Sequence, residues 1–396
     1  MTAEFHGWRV VGAAFLLAVF AWGIGFYGPG IYIATLAAGR GWPVALLSAA
    51  ITWHFLVSAA LVAQLPEWHR RWGIAGVTRA GLLASAAGLL TWGFGHQPWL
   101  AFGAASLTGM GWALTSGAAI NAMLSPWFER RRPAALAMAY NGASMGGILM
   151  TPLWAWLIAG WGFGTATLVV AALLLAVVWP LAGRLGRGPE TFGQFADGAA
   201  APPPSRAEAP ARGRAALLRD AGFRSLCLAF AIGLFAQMGL VTHLVSLLVP
   251  ALGVQGAGLA MAMVTVFALL GRSLTGLVLP GGRRRRWAAA ATFLVQLAGS
   301  AALIAADGGV ALLLLGCALF GVGVGNLLSL PPLIAQAEFP AAEVGRVVAL
   351  MQAINQAFYA FAPALFGLFR EAASAEAALW ATLALQGLAA VLVLRR

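Results

Sequence analysis

An all-α integral membrane protein, built from twelve transmembrane helices as two six-helix halves, is the fold class this sequence predicts, and three observations predict it. Of 396 residues, 61% are hydrophobic and only 9% are charged, where soluble domains carry about a quarter charged residues. The apolar segments are about 20 residues long or more, enough for a helix to cross a hydrocarbon core of roughly 30 Å, and they lack the two-residue alternation of barrel strands. The arginines collect in every second connection between those segments, the distribution that the positive-inside rule gives an even number of spans.

The segments fall at 8–37, 44–65, 74–95, 98–124, 133–157, 163–183, 222–249, 256–280, 287–306, 309–336, 344–369 and 374–394. With both termini in the cytoplasm, that side receives Arg9, Arg70, Arg71, Arg79, Arg130 to Arg132, seven arginines from Arg184 to Arg224, Arg283 to Arg286, Arg346, Arg395 and Arg396. Arg40 and Arg370 alone fall on the opposite side. The formal charge of +12 is therefore a matter of topology: the partner it meets is a lipid bilayer, and no nucleic acid is expected. There is no lysine, and the two cysteines, Cys227 and Cys317, each lie in an apolar segment, so neither a disulfide nor a metal site is expected. The first apolar run exceeds signal-peptide length and reads as a retained helix.

Three parts follow in order: an N-terminal half over 1–183, a cytoplasmic linker over 184–221 and a C-terminal half over 222–396. The linker is rich in Pro, Gly, Ala and charge, with Pro202, Pro203 and Pro204 at its centre, a composition that cannot bury a core. The halves echo each other. Leu65-Pro66 and Leu279-Pro280 close the second and eighth segments, each followed by basic residues and a tryptophan, Trp72 or Trp287. Gly109-Met-Gly111 in the fourth segment corresponds to Gly321-Val-Gly323-Val-Gly325 in the tenth, and the interval from Arg132 to Asn141 repeats from Arg346 to Asn355. The glycines are read as points of close helix approach, because no strand, lysine or acidic partner accompanies them as a nucleotide loop would require.

One side chain breaks the apolar pattern of the second half. Arg272 lies well inside the run from Gly256 to Pro280, and a guanidinium stays charged wherever it sits. Within a bilayer that is tolerated where the charge faces the bundle interior or water, which makes Arg272 a binding-site candidate; the competing reading is a helix-end arginine reaching the headgroups. No Asp or Glu lies centrally in any segment, so a membrane carboxylate relay is not expected. Tyr27 beside Gly28-Pro29, Asn121, His243, and Gln352, Asn355 and Tyr359 on one face of the eleventh segment complete the set assigned to substrate binding. For each of these polar residues, hydrogen bonding between helices competes with ligand contact. His54 and His243 are the embedded groups that titrate near neutrality.

Over essentially its whole length the chain resembles the major facilitator superfamily, and within it the bacterial monocarboxylate-transporter-like and oxalate/formate-exchanger-like branch. The residues carrying the resemblance are Gly7-Trp8-Arg9-Val10-Val11, Phe26-Tyr27-Gly28-Pro29-Gly30, Gly41-Trp42-Pro43, Trp127-Phe128-Glu129-Arg130-Arg131-Arg132, Gly142 to Gly147 with Pro152, and Gly271-Arg272. The resemblance implies the fold already derived and an alternating-access carrier in which Arg272 pairs with the substrate anion. It also implies that the helix bearing His243 lines the central cavity. Departures are as informative. Arg70 and Ile74-Ala75 flank Gly73 where the family places an acid and basic residues, and Ala268 stands where proton-coupled carriers have an aspartate.

Together these readings give an expectation of a secondary active or exchange transporter, not an enzyme, without cofactor. It would move a small organic anion, a monocarboxylate or small dicarboxylate, across a bacterial inner membrane, with a proton or a counter-anion open as coupling partner and a monomer sufficient. A multidrug or neutral-solute exporter of the same fold is the alternative, favoured by 16 tryptophans.

Overall fold

The computed structural model describes residues 5–199, 212–279 and 284–395; Pro202 to Pro204, Pro280 and Arg283 lie outside them. The chain separates into two compact units, Met1–Ala207 and Glu208–Arg396, and among the described residues every regular element is helical.

The first unit contains α1 (Gly7–Gly25), α2 (Gly28–Arg40), α3 (Val44–Val62), α4 (Leu65–Phe94), α5 (Leu100–Thr115), α6 (Gly117–Leu124) and α7 (Arg132–Leu185). The second contains α8 (Arg214–Arg219), α9 (Ala221–Val278), α10 (Arg285–Ala305), α11 (Val310–Val324), α12 (Asn326–Glu338), α13 (Ala341–Tyr359), α14 (Ala362–Ala372) and α15 (Ala375–Leu394). Ten stretches among the described residues are long and apolar enough to cross a membrane. At 54 residues α7 would reach about 80 Å if straight, but Gly162 takes a non-helical backbone with φ of 78° and divides it into two spans. Gly253 (φ 67°) divides α9 in the same way. A positive φ is cheap only for glycine. Counting the two parts of α7 separately, and α5 with α6 as one further span, gives twelve among the described residues.

Several spans are interrupted: α1 gives way to α2 at Phe26-Tyr27, α5 to α6 at Ser116, α11 to α12 at Gly325 and α13 to α14 at Ala360-Phe361. Backbone groups freed at membrane depth must find other partners. Tyr32 donates to the Ile24 carbonyl across the first break (3.0 Å), and Tyr140 of α7 donates to Gly117 at the second (2.8 Å).

In the first unit α1 and α4 pack on α7, and α3 and α4 on α5. A Cβ on Gly142 would lie 2.2 Å from the Phe15 carbonyl oxygen, so this seam requires the absence of a side chain. In the second unit α9 packs on α11, α13 and α15. Gly271 and Gly325 meet the Val322 and Ala268 carbonyls as closely, at 2.2 and 2.1 Å from a built Cβ. Small residues at these contacts supply the dense packing that stands in for hydrophobic driving force in lipid.

The described ends of the expected linker are tied to their own units rather than left as free coil. Asp197 accepts from the backbone N–H groups of Glu129, Arg130 and Arg131 (3.2, 2.6 and 3.2 Å), so it fastens the loop that leads into α7. Trp127 Nε1 donates to the Arg187 carbonyl (3.1 Å). On the other side Arg212 forks onto Glu343 of α13 and reaches Asp220 (2.8 Å each). Burial works against the Asp220 carboxylate, but hydrogen bonds from Arg212 and from the Phe223 N–H hold it below the ordinary range, and the two carboxylates push the Arg212 guanidinium up. Composition alone conceals such contacts, because they use isolated charges and backbone amides instead of an apolar face.

Candidate functional site

The second part of α9 is apolar on the outside and small or charged on the inside. Leu259, Val266, Leu270, Leu274 and Leu277 are exposed, whereas Ala257, Ala260, Val264, Ala268 and Arg272 are buried. These two sets alternate at three- and four-residue intervals, so they occupy opposite faces of one helix. Lipid would cover the first face. Arg272, only 2% exposed, belongs to the second, and a helix-end arginine reaching for headgroups is not what the geometry gives.

Gly271 lets α9 close onto α11, and the contact delivers Arg272 to the α11–α12 break. Its Nε donates to the Gly325 carbonyl at 2.8 Å. Gly325 both closes α11 and opens α12, so the opposed partial charges of the two helix ends largely offset and the cation is held by the hydrogen bond itself. At the same break lies the buried Asn326, whose Nδ2 donates to the Val322 carbonyl (3.3 Å) while its Oδ1 has no hydrogen-bond partner.

On α13, which packs against both α9 and α12, Asn355 is 4% exposed and its Oδ1 likewise has no hydrogen-bond partner. Tyr359 ends this helix, buried, and shares a hydrogen bond with Gln356. Gln352 is half-buried one turn before Asn355. His243, in the first part of α9, sits within 3.1 Å of the Pro363 carbonyl and 3.1 Å of Arg370 Nη1, both on α14.

Five of the seven assigned residues thus lie in the second unit, and the other two lie in the first. Tyr27 is the residue before α2, its ring edge-on to Phe26 (5.2 Å) and close against Gly147 of α7. Asn121 is buried on α6, where its Oδ1 accepts from Arg132 of α7 at 2.7 Å. That bond uses its carbonyl for holding helices together. Two groups escaped sequence reasoning: the Gly325 carbonyl, for which the alternating glycines from Gly321 to Gly325 were the available signal, and the Arg370–His243 contact, which no spacing announces. Among the described residues no three His, Cys, Asp or Glu side chains gather as a metal site would need, and Cys227 and Cys317 are buried free thiols.

Residues 11–363 match the profile of the Major Facilitator Superfamily. The chain belongs to that superfamily. It is accordingly a multi-pass membrane protein of a transporter family, not an enzyme. Monocarboxylate transporter 13 of Bos taurus is 27% identical over 179 residues, a stretch covering 43% of this chain and 40% of that relative. Its counterpart from Rattus norvegicus is 38% identical over 72 residues, 18% of this chain and 17% of the relative. The chain thus matches well under half the length of these relatives. The crystal structure of the human organic anion transporter MFSD10 (TETRAN) superposes with a TM-score of 0.68 over 98% of this chain and 99% of that one, at 15% identity, which establishes a shared fold.

Proposed function

We propose that this superfamily member moves a small organic anion, a monocarboxylate or small dicarboxylate, by alternating access, with Arg272 as the partner of the substrate carboxylate. The observation carrying this reading is the placement of a permanent cation on the buried face of α9, anchored through Nε to a broken helix. Taking an ion out of water costs several kcal/mol even after relaxation. The Gly325 carbonyl lowers that cost, and a guanidinium offers a carboxylate a planar fork. The unpartnered Oδ1 of Asn355 could accept from a substrate hydroxyl, as a hydroxy-acid would offer, since an ionised carboxylate itself only accepts. Partial similarity to monocarboxylate transporters leans the same way.

The arginine distribution supports residence in a bacterial inner membrane with both termini cytoplasmic, and the organisation into halves over 1–183 and 222–396 joined by 184–221. With twelve spans supplied by one chain, a monomer is sufficient for this reading.

Uptake into proteoliposomes tests the assignment. Loss of a bidentate charged hydrogen bond is worth about 1.5–3 kcal/mol, so Arg272→Lys should slow anion uptake by about 10- to 100-fold and Arg272→Gln should abolish it. Unchanged uptake in Arg272→Gln would remove the proposal. A second reading, an exporter of hydrophobic or neutral solutes, is favoured by the aromatic group formed by Trp22, Phe26 and Trp112 beside Tyr27. Inhibition of transport by acetate, lactate or oxalate supports the anion reading, and indifference to all three supports the exporter.

A further inference from the structure

In the first unit the part of α4 beyond Gly73 and the part of α7 beyond Gly162 run antiparallel along a seam of small residues. Gly186 abuts Ala75 at one end, where a built Cβ would come within 2.6 Å of the Ala75 Cβ, and Gly93 abuts Thr167 at the other. The side chains flanking the seam therefore share one surface. On it α4 exposes Leu83, Ala87 and Leu90, and α7 exposes Leu168, Ala172 and Ala176. Each set recurs at three- or four-residue intervals, so each is a single helix face. Acyl chains would cover both.

At the membrane end that carries the arginines, both faces close on a different kind of group. One turn before Leu83 comes Arg79, and one turn after Ala176 comes Trp179, an exposed ring of the type that settles at headgroup level. The guanidinium lies against the indole, with Cζ 5.4 Å from the ring centroid. Gly183, one turn further along α7, leaves room beside it, since a Cβ there would stand 3.6 Å from Nη2. Stacking of this kind orients the fork and supplies no acceptor for its N–H groups. Arg79 Nε is buried without a hydrogen-bond partner, and among the described residues no carboxylate pairs with Arg79, Arg71 or Arg184. Arg70, by contrast, is paired with Glu67.

A permanent cation with donors to spare, set where an apolar surface ends, suits an anion joined to an apolar body. We propose that the α4–α7 surface binds an anionic phospholipid of the phosphatidylglycerol class, its phosphate forked by Arg79 beside Trp179 and its acyl chains laid along the Leu83 and Leu168 faces. Depth argues for a lipid over dissolved phosphate. Arg79 lies about 8 Å along the helix axis from Ile74, where this part of α4 begins, so its guanidinium reaches headgroup oxygens along its own stem. A lipid presents its phosphate at that level with the tails already in the apolar layer. The unpaired positive charges of Arg71 and Arg184 near the same helix ends favour an anionic headgroup over a zwitterionic one. Arg272 and its surroundings belong to the other unit, and this inference does not rest on them.

Thermal unfolding of the purified full chain in dodecyl maltoside micelles, with added phosphatidylglycerol, phosphatidylcholine or inorganic phosphate, tests the site by mass action. Phosphatidylglycerol should raise the midpoint along a saturating curve, while the other two leave it where it was. Arg79→Gln should need about ten times more phosphatidylglycerol for the same shift. Because Arg79 makes no hydrogen bond to the protein, the midpoint of that variant without lipid should stay near the native value. Arg130→Gln removes an exposed charge from the loop before α7 and should keep the native response. Native mass spectrometry supplies a count, with one more phosphatidylglycerol retained on the native chain than on Arg79→Gln. Equal shifts with phosphatidylcholine or inorganic phosphate would overturn the inference, as would an unchanged response in Arg79→Gln or an equal loss in Arg130→Gln. So would an Arg79→Gln midpoint lowered, without lipid, by as much as the lipid raises the native one. Neither measurement involves transport, so the result stands apart from whether Arg272 binds a substrate.

Discussion

A buried polar group in the second unit either stabilises the bundle or binds substrate, and substitution separates the two roles. The orphaned Oδ1 of Asn355 offers the cleaner test. A buried acceptor without a donor costs about 1–3 kcal/mol, and an apolar replacement of similar shape removes that cost. Asn355→Leu should therefore leave thermal unfolding unchanged or raise its midpoint, while anion uptake falls; a variant with both properties lowered would make Asn355 a structural residue. Arg272 was legible in the sequence because a charge inside an apolar run has few explanations. The contact that Asn121 makes was not, since its partner Arg132 lies eleven residues on, across the loop from α6 to α7, and no local pattern relates the two.

Among the elements, the number of spans was legible and their interruptions mostly were not. Gly28-Pro29 signalled the break between α1 and α2, because proline cannot donate to the preceding turn. Pro363 stands at the start of α14 as Pro29 does at the start of α2, whereas the α5–α6 break at Ser116 carries no proline and is set by tertiary partners such as the Tyr140 hydroxyl on Gly117. Glycines told more through what they exclude. Gly271→Ala would drive a Cβ to 2.2 Å from the Val322 carbonyl oxygen, backbone that cannot rotate aside. Overpacking of this kind costs about 1–3 kcal/mol and would carry Arg272 away from Gly325. The variant is expected to melt several degrees lower and to lose uptake, whereas Gly258→Ala on the same helix, with open space at its Cβ, should change neither. Equal effects at both positions would refute close packing as the reason for Gly271.

For the molecule as a whole, the alternation of arginines and the likeness of the two halves were readable because membrane insertion and repeat architecture act on composition over long stretches. Arg40 and Arg370, the two exceptions, turn out to serve protein contacts. The first donates to the Gly93 and Gly95 carbonyls at the end of α4 and the second to His243. Substrate chemistry is a finer property, held by a few side chains, and ligand-linked stability measures it on the intact protein. A ligand that binds only the folded state stabilises it by about 2.7 kcal/mol at a hundredfold excess over Kd. The most direct test is a thermal-unfolding series of the purified protein and its Arg272→Gln variant with acetate, lactate and oxalate. At least one of these anions should raise the midpoint of the native protein and leave the variant unmoved; equal shifts in both proteins, or none in the native one, would contradict Arg272 as the anion's partner.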